Sequence, residues 1–315
     1  ALNTILPKFK EKVQTIYIDP PFNKEQDADY FYSVKYKDSS WATMLENRLR
    51  LAKDWLNERG SIFVRCDYNG NWIVRPLMNE IFGSENFRNE IVVKRGEVPK
   101  GEVNKLLTGT DCLFYFSKTE NNIFYTPKRK RVKAEWLPMH LPQERTTYEL
   151  QVREFFGKKL LPPRGRHWAL SQGKINEAIK EGKIKINEEK EYIDLQGNLV
   201  KGMPEILQGE YEKINSNWTD IPSYTARVDG FKTENSEILL KRVIESTSNT
   251  PSLRDTPLKE GNRDIVMDFF LGSGTTTAVA HKLGRKWLGV EMGEHFYTVV
   301  LPRMKKVLAY DKSGI

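Results

Sequence analysis

The sequence predicts an α/β fold, and three observations predict it. Residues 1 to about 93 alternate short apolar runs with amphipathic stretches, and the chain from about 225 onward does so again. Between Asp264 and Leu283 an apolar run, a Gly-Ser-Gly turn and a helical stretch follow one another directly. Short β-branched runs separated by helical periodicity are the pattern of parallel strands joined by crossover helices.

Each element has its own signal. Val13 to Ile18 is apolar and β-branched and ends at Asp19-Pro20-Pro21, so it reads as a buried strand entering a rigid turn. Ser40 to Arg59 reads as a helix because Trp41, Leu45, Leu49, Ala52 and Leu56 recur on one face. Ser39 or Ser40 fits its start and Gly60 its end. Ser61 to Arg65 is expected as a strand, Trp72 to Phe82 and Glu237 to Glu245 as helices. Asp264 to Phe270 is expected as a strand, Thr275 to Leu283 as a helix, and Lys286 to Glu291 as a last strand ending in an acid. Three zones follow: 1–93, a middle zone 94–224 without the strand-helix rhythm, and 225–315.

Composition narrows the function classes. With 315 residues, 39% hydrophobic and 29% charged, the chain suits a soluble globular protein with a sizeable core. It has no apolar run of the roughly 18 residues that a membrane span needs, and its start lacks the layout of a signal peptide. Two cysteines, Cys66 and Cys112, cannot make a disulfide framework. The four histidines are scattered, so no metal site is expected and a reducing cytoplasm is. Lys plus Arg number 50 against 42 acids, a net charge of +8 that favours a polyanionic partner.

The middle zone carries the run Lys128-Arg129-Lys130-Arg131 and the stretch Pro162 to Trp168, with Arg164 and Arg166. Phe114, Tyr115, Phe116, Phe124, Tyr125, Trp136 and Trp168 interleave with these charges. The mixture fits a surface that meets phosphates and bases. For any single residue a solvated charged face over a small separate aromatic core is the favoured reading.

Two motifs carry chemistry. Gly272 and Gly274 allow a sharp turn and close approach of a ligand to the backbone, and the helix start after them offers N–H groups to an anion. Glu291, about 20 residues on, stands where an acid accepts ribose hydroxyls. This is the layout of an adenosine-containing cofactor. The third glycine of a dinucleotide fingerprint and the Gly-Lys-Ser/Thr of a phosphate loop are missing, which disfavours NAD and ATP. The second motif is Asp19-Pro20-Pro21-Phe22. An aromatic amine is a poor nucleophile because its lone pair is delocalised. A carboxylate at Asp19 and the Pro20 carbonyl can accept its two hydrogens and turn that lone pair toward an electrophile. Phe22 would stack on the base, which must first be rotated out of its duplex.

Taken together, the motifs resemble those of amino-methyltransferases of DNA from bacterial restriction-modification systems. In that family an Asp-Pro-Pro-aromatic motif and a Phe-x-Gly-x-Gly motif flank a variable target-recognition region. Here Asp19 to Phe22 comes first and Phe270-Leu271-Gly272-Ser273-Gly274 last, the order of the circularly permuted β group. "TIYIDPPFN", "SSWATMLENRLRLAKDWLNERGSIFV", "MNEIFGSENF" and "DFFLGSGTTTAVAHKLGRKWLGVE" read like Type III modification subunits and their adenine-specific relatives.

The resemblance implies a Rossmann-like S-adenosylmethionine-dependent methyltransferase sheet interrupted by a target-recognition region at 94–224. It implies transfer of a methyl group from S-adenosylmethionine to the N6 amine of a flipped adenine in double-stranded DNA. Asp19, Pro20, Pro21 and Phe22 would hold the amine. Asp268, Phe270, Gly272, Ser273, Gly274, Thr275, Glu291 and Thr233 would bind the cofactor. Lys128, Arg129, Lys130, Arg131, Arg164 and Arg166 are expected at DNA. A restriction or helicase subunit, or a second copy, is the expected protein partner.

The chain departs from the family in three places. Asn235 and Ser236 stand where the family has Lys-Pro, Phe22 stands where Tyr is commoner, and the Gly-Asp-Asn strand end usual before the segment matching Ala1 to Phe9 is missing. The chain is therefore expected to be cut or disordered at its start. Adenine is favoured over the N4 of cytosine because the motif begins with Asp rather than Ser. A subunit that grips DNA and cofactor without catalysis, and methylation of RNA or a protein glutamine, stay as alternatives.

Overall fold

A computed structural model describes residues 2–21, 38–95, 104, 106–143, 151–222, 234–249 and 264–309. The chain opens with α1 (Leu2–Phe9), β1 (Val13–Ile18), α2 (Asp38–Trp55), β2 (Leu56–Cys66), α3 (Asn71–Phe82), β3 (Phe87–Lys94) and β4 (Thr110–Ser117). Its middle carries β5 (Lys128–Lys130), β6 (Trp136–Pro138), β7 (His140–Pro142), β8 (Arg153–Phe155), β9 (Lys158–Leu160) and β10 (Arg166–Trp168). There α4 (Gln172–Lys180), β11 (Ile184–Ile193), β12 (Leu199–Leu207) and β13 (Tyr211–Lys213) follow. The rest comprises β14 (Asn217–Trp218), α5 (Glu237–Thr247), β15 (Ile265–Asp268), α6 (Thr275–Lys282), β16 (Lys286–Gly289) and α7 (Leu301–Leu308). Among the described residues no helix is long and apolar enough to cross a membrane.

Seven strands form one sheet in the order β14-β3-β4-β2-β1-β15-β16. β1 runs parallel to both β2 and β15, and β15 runs parallel to β16. β4 lies antiparallel between β2 and β3. From β1 the chain steps outward to β2 on one side; from β15 it steps outward to β16 on the other. The β1–β15 boundary is thus a topological switch point, where a crevice opens beyond the carboxyl ends of the strands.

Both faces of the sheet are covered, which is why every residue of β1 is buried. One face packs Val13, Ile16, Ile18, Ile62 and Val64 under Trp41, Leu45, Leu49, Val74 and Met78 of α2 and α3. The other packs Tyr17, Phe63, Leu113, Tyr115 and Val266 under Leu240, Val243 and Ile244 of α5 and Val279 and Ala280 of α6.

The expected strand at Val13 to Ile18 has the observed bounds, but the helix expected to reach Arg59 stops at Trp55. Its last carbonyls, on Asp54 and Trp55, accept the N–H groups of Glu11 and Lys12, and Leu56 already pairs with Val13. Gly60 is therefore no helix end. It lies inside β2, where a Cβ would come within 3.0 Å of the Val13 carbonyl oxygen. The strand expected over Asp264 to Phe270 is shorter too, because the Asp268 carboxylate accepts the Phe270 N–H at 2.9 Å and turns the chain.

The zone boundaries also move. Compact units form at residues 1–127 with 214–315, and at 128–213, a narrower middle than 94–224. The run Leu113 to Phe116 belongs to β4 of the central sheet, so Phe114, Tyr115 and Phe116 are core residues and not part of a basic surface. The 128–213 unit has its own core of Met139, Phe155, Trp168, Ile175, Ile184, Tyr192 and Met203. Trp168 meets Phe155 edge-on at 5.0 Å between ring centroids, so the small separate core anticipated for the middle aromatics holds for this one.

Candidate active site

Asp19 leaves the end of β1 at the switch point, partly buried, with Pro20 and Pro21 buried behind it. The Pro21 carbonyl accepts the Trp41 indole N–H at 2.7 Å, which clamps the turn to the first turn of α2. Asn235, two residues ahead of α5, donates its Nδ2 to Asp19 Oδ2 at 3.0 Å. Burial pushes the Asp19 carboxyl up to about 6, while the Arg65 guanidinium and the Asn235 amide oppose that rise. Asp19 is therefore mostly ionised at neutral pH, yet close enough to neutrality that its charge is sparingly solvated.

Beyond β15 the chain forms the glycine turn. Gly272 has a φ of +55° and Gly274 one of +83°, left-handed values that a side chain adopts only at a cost. Glu291, just past β16, accepts the Gly272 N–H at 2.8 Å with one carboxylate oxygen. Its other oxygen accepts the N–H groups of Met292 and Gly293 at 2.8 and 2.9 Å. Turn and acid are thus locked together. Asp268 is buried; its oxygens accept the Thr276 hydroxyl at 2.6 Å and the Phe270 N–H. Burial raises its carboxyl to about 7, with the neighbouring charges of Asp19 and Glu291 adding to the rise.

Arg303 of α7 braces the turn from behind. Its guanidinium donates to Thr275 Oγ1 at 3.0 Å and to the Ser273 carbonyl and hydroxyl at 3.4 Å. It also pairs with Glu234 at 2.6 Å and Glu237 at 2.8 Å, and Lys282 pairs with Glu237 at 2.8 Å. Buried cations and acids in this arrangement neutralise one another, the condition for charges to persist inside a core.

The Asp19-Pro20-Pro21 turn and the glycine turn thus follow adjacent parallel strands. Residues 13–301 match the family model described as DNA methylase, N6_N4_Mtase. The chain belongs to the N6/N4 DNA methylase family. This family member is 29% identical to a probable type III restriction-modification enzyme HindVI Mod subunit of Haemophilus influenzae, over all of this chain and 50% of that protein. It is 24% identical to the Type II methyltransferase M.EcaI of Enterobacter cloacae, over 92% of this chain and 64% of that one. The chain therefore spans about half to two thirds of these relatives' lengths. Among solved structures it is similar to the cytosine-N4-specific PvuII DNA methyltransferase, with a TM-score of 0.51 and 13% identity. That match covers 96% of this chain and 86% of the other. The expected Rossmann-like methyltransferase fold is the observed one.

The structure describes most of the methylase-family positions read from sequence. Asp19, Pro20 and Pro21 follow β1, Asp268 closes its neighbour β15, and Phe270, Gly272, Ser273, Gly274 and Thr275 come after it, with Glu291 hydrogen-bonded to the turn. Phe22 and Thr233 lie outside the described residues. Lys128, Arg129, Lys130, Arg131, Arg164 and Arg166 all fall in the 128–213 unit. Arg129 and Arg131 pair with Glu212, and Lys130 with Glu210, across the β5–β13 ribbon, so much of that run's charge is met within the unit. Arg166 stands 3.3 Å from the His140 ring.

Sequence reasoning passed over Arg65, Asn235, Asp111 and Arg303. One signal was available for Arg65: a cation in the otherwise apolar run Ser61 to Cys66, all of it buried. Asn235 was visible only as a departure from the family pattern. Cys66, buried, and Cys112, partly exposed, pair across β2 and β4 with both thiols pushed up, chiefly by burial, so neither is a ready nucleophile.

Proposed function

We propose that this chain is the catalytic part of a restriction-modification methyltransferase that moves a methyl group from S-adenosylmethionine to the N6 amine of a flipped adenine in DNA. One observation carries the reading: Asp19 and the Gly272–Gly274 turn leave adjacent parallel strands at the switch point of the sheet. The donor set there suits the cofactor. An acid fixed against a glycine turn, and a helix start immediately after it, match a ribose and an amino-acid carboxylate. Gly272, Ser273, Gly274, Thr275 and Glu291 would hold it, with Asp268, Phe270 and Thr233 beside them. When bound, S-adenosylmethionine supplies an electrophilic methyl carbon on a sulfonium.

The chain's own residues do the rest. Asp19, ionised, accepts one hydrogen of the target amine, and the Pro20 carbonyl accepts the other, which frees the nitrogen lone pair from the ring. The freed lone pair would take up the methyl group that S-adenosylmethionine supplies, with the thioether as leaving group. The positive charge that passes to the amine is stabilised by Asp19 until a proton leaves. Phe22 would stack on the base. The 128–213 unit is proposed as the target reader, with Lys128 to Arg131, Arg164 and Arg166 meeting the DNA backbone. The Mod-subunit relative makes a restriction subunit, or a second copy, the proposed protein partner in the cytoplasm.

Incubation with labelled S-adenosylmethionine and duplex DNA, followed by digestion to nucleosides, tests this. Label in N6-methyladenine is the expected result. Label in N4-methylcytosine would move the target to cytosine, and no label with DNA and cofactor both bound would leave a binding module.

A further inference from the structure

Asp19 sits at one end of a chain of polar side chains that crosses the sheet. Asn235 donates to it through Nδ2, and Asn235 Oδ1 accepts from the Tyr17 hydroxyl at 3.0 Å and from Arg65 Nη1 at 2.6 Å. Arg65 Nη2 donates to Asp111 Oδ2 at 2.8 Å, and Arg95 lies 3.5 Å from both Asp111 and Asp67. The direction of this chain is not arbitrary. A guanidinium donates and never accepts, so the Asn235 atom facing Arg65 must be the carbonyl oxygen. The amide is then forced to point its NH2 at Asp19. Arg65 is itself buried and held by Asp111 on the neighbouring strand, so it cannot swing away from this task.

We propose that Arg65 is a positioning residue for methyl transfer: acting through the Asn235 amide, it fixes one Asp19 oxygen so that the other is presented to the substrate amine. The inference rests on the reading of Asp19 as the amine acceptor. Without Arg65 the Asn235 amide loses its charged donor and is held only by the Tyr17 hydroxyl and by Asp19, so it turns more readily, and a flipped amide puts its oxygen against the carboxylate. Two acceptors facing each other repel, so Asp19 rotates away or takes up a proton.

Asp19 is faced by Tyr17 on its own strand, by Arg65, Cys66 and Asp67 of β2 and the turn after it, by Asp111 of β4 and by Asp268 of β15. Asn235→Asp keeps the shape and the Arg65 pairing but sets a second carboxylate against Asp19. It is expected to lower kcat about tenfold or more and leave KM for cofactor and DNA within about threefold. It should also move the acid limb of the pH profile up by about one unit, through like-charge repulsion. Arg65→Lys is expected to keep more activity than Arg65→Met, since one donor remains for Asn235. Asp19→Ala separates the layers: retained transfer in that variant overturns the acceptor reading and the relay together. With Asp19→Ala inactive, a wild-type kcat and an unmoved acid limb in Asn235→Asp overturn the relay alone. Should Asn235→Asp fail to fold, Asn235→Ser is expected to lose kcat with KM kept, and a wild-type kcat there overturns the relay equally.

Discussion

Asp268 ends β15 beside the strand that leads into Asp19, and the charge on Asp19 makes Asp268 harder to ionise. Two carboxyls at one switch point, both raised above their ordinary values, mean that the folded chain binds protons that the unfolded chain releases. The unfolded carboxyls ionise near pH 4, whereas the folded ones do so near 6 and 7. These two groups therefore favour the folded state fully below about pH 4 and progressively less as the pH climbs toward 7. Asp268→Asn removes the titration. Thermal unfolding at pH 5.5 and 8 should show the variant gaining stability relative to wild type at the higher pH. An equal difference at both values would place Asp268 in a better solvated setting than its burial indicates.

In its proposed role Asp19 stabilises the positive charge developing on the amine only when it is itself ionised. The acid limb of kcat/KM is therefore expected to rise with pH, to pass half-maximum near 6 and to level off above it. Asp19→Asn should lose on the order of a thousandfold in transfer, comparable to removing a key hydrogen-bonding group from an active site. Its cofactor affinity, measured by calorimetry, should stay within a few-fold. A variant with near-normal turnover and an unchanged limb would assign that limb to another group.

Gly274→Ala forces a side chain into a left-handed backbone with φ +83° and places a Cβ 3.1 Å from Val300 Cγ1. The backbone term alone costs roughly 1–2 kcal/mol. Urea denaturation should report a loss of that size, together with weaker S-adenosylmethionine binding. Unchanged binding would mean that the turn does not contact the cofactor.

Arg303→Met removes the cation that neutralises Glu234 and braces Ser273 and Thr275. Removing one partner of a buried ion pair costs about 3–5 kcal/mol. Glu234→Gln added to Arg303→Met should restore part of the stability in chemical denaturation, because it removes the charge that has lost its cation. A double variant no more stable than the single one would show that packing, not charge, dominates at this site.

Lys128 and Lys130 project from an exposed ribbon strand, with Lys130 paired to Glu210 at 3.0 Å. If they meet phosphates, Lys128→Ala with Lys130→Ala should weaken DNA binding and reduce the slope of log K against log salt by about 0.9 for each phosphate no longer neutralised. A slope equal to wild type would leave the run as a solvated face held by its own acids.

Strand β1, helices α3, α5 and α6, and the order of the two motifs were legible because each rests on local rules: β-branched runs, helical spacing, and glycine where the backbone must turn left-handed. Asp19 and Gly274 could be named from such rules alone. Where a local rule met a longer-range contact, the contact prevailed. The helix before β2 stopped at Trp55 because the N–H groups of Glu11 and Lys12 reached its last carbonyls. Leu113 to Phe116 joined the central sheet because β2 and β3 both paired with it.

The sequence by itself determined the α/β class, the proline turn at Asp19 and the glycine turn before α6, since period, turn chemistry and residue type are properties of neighbours along the chain. Only the tertiary structure decided that Asn235 touches Asp19 across 216 positions, that Arg65 sets the direction of that amide, and that Arg303 braces the turn. Such contacts depend on which strands lie side by side, and that order is settled by the burial of two sheet faces at once, not by any local run of residues.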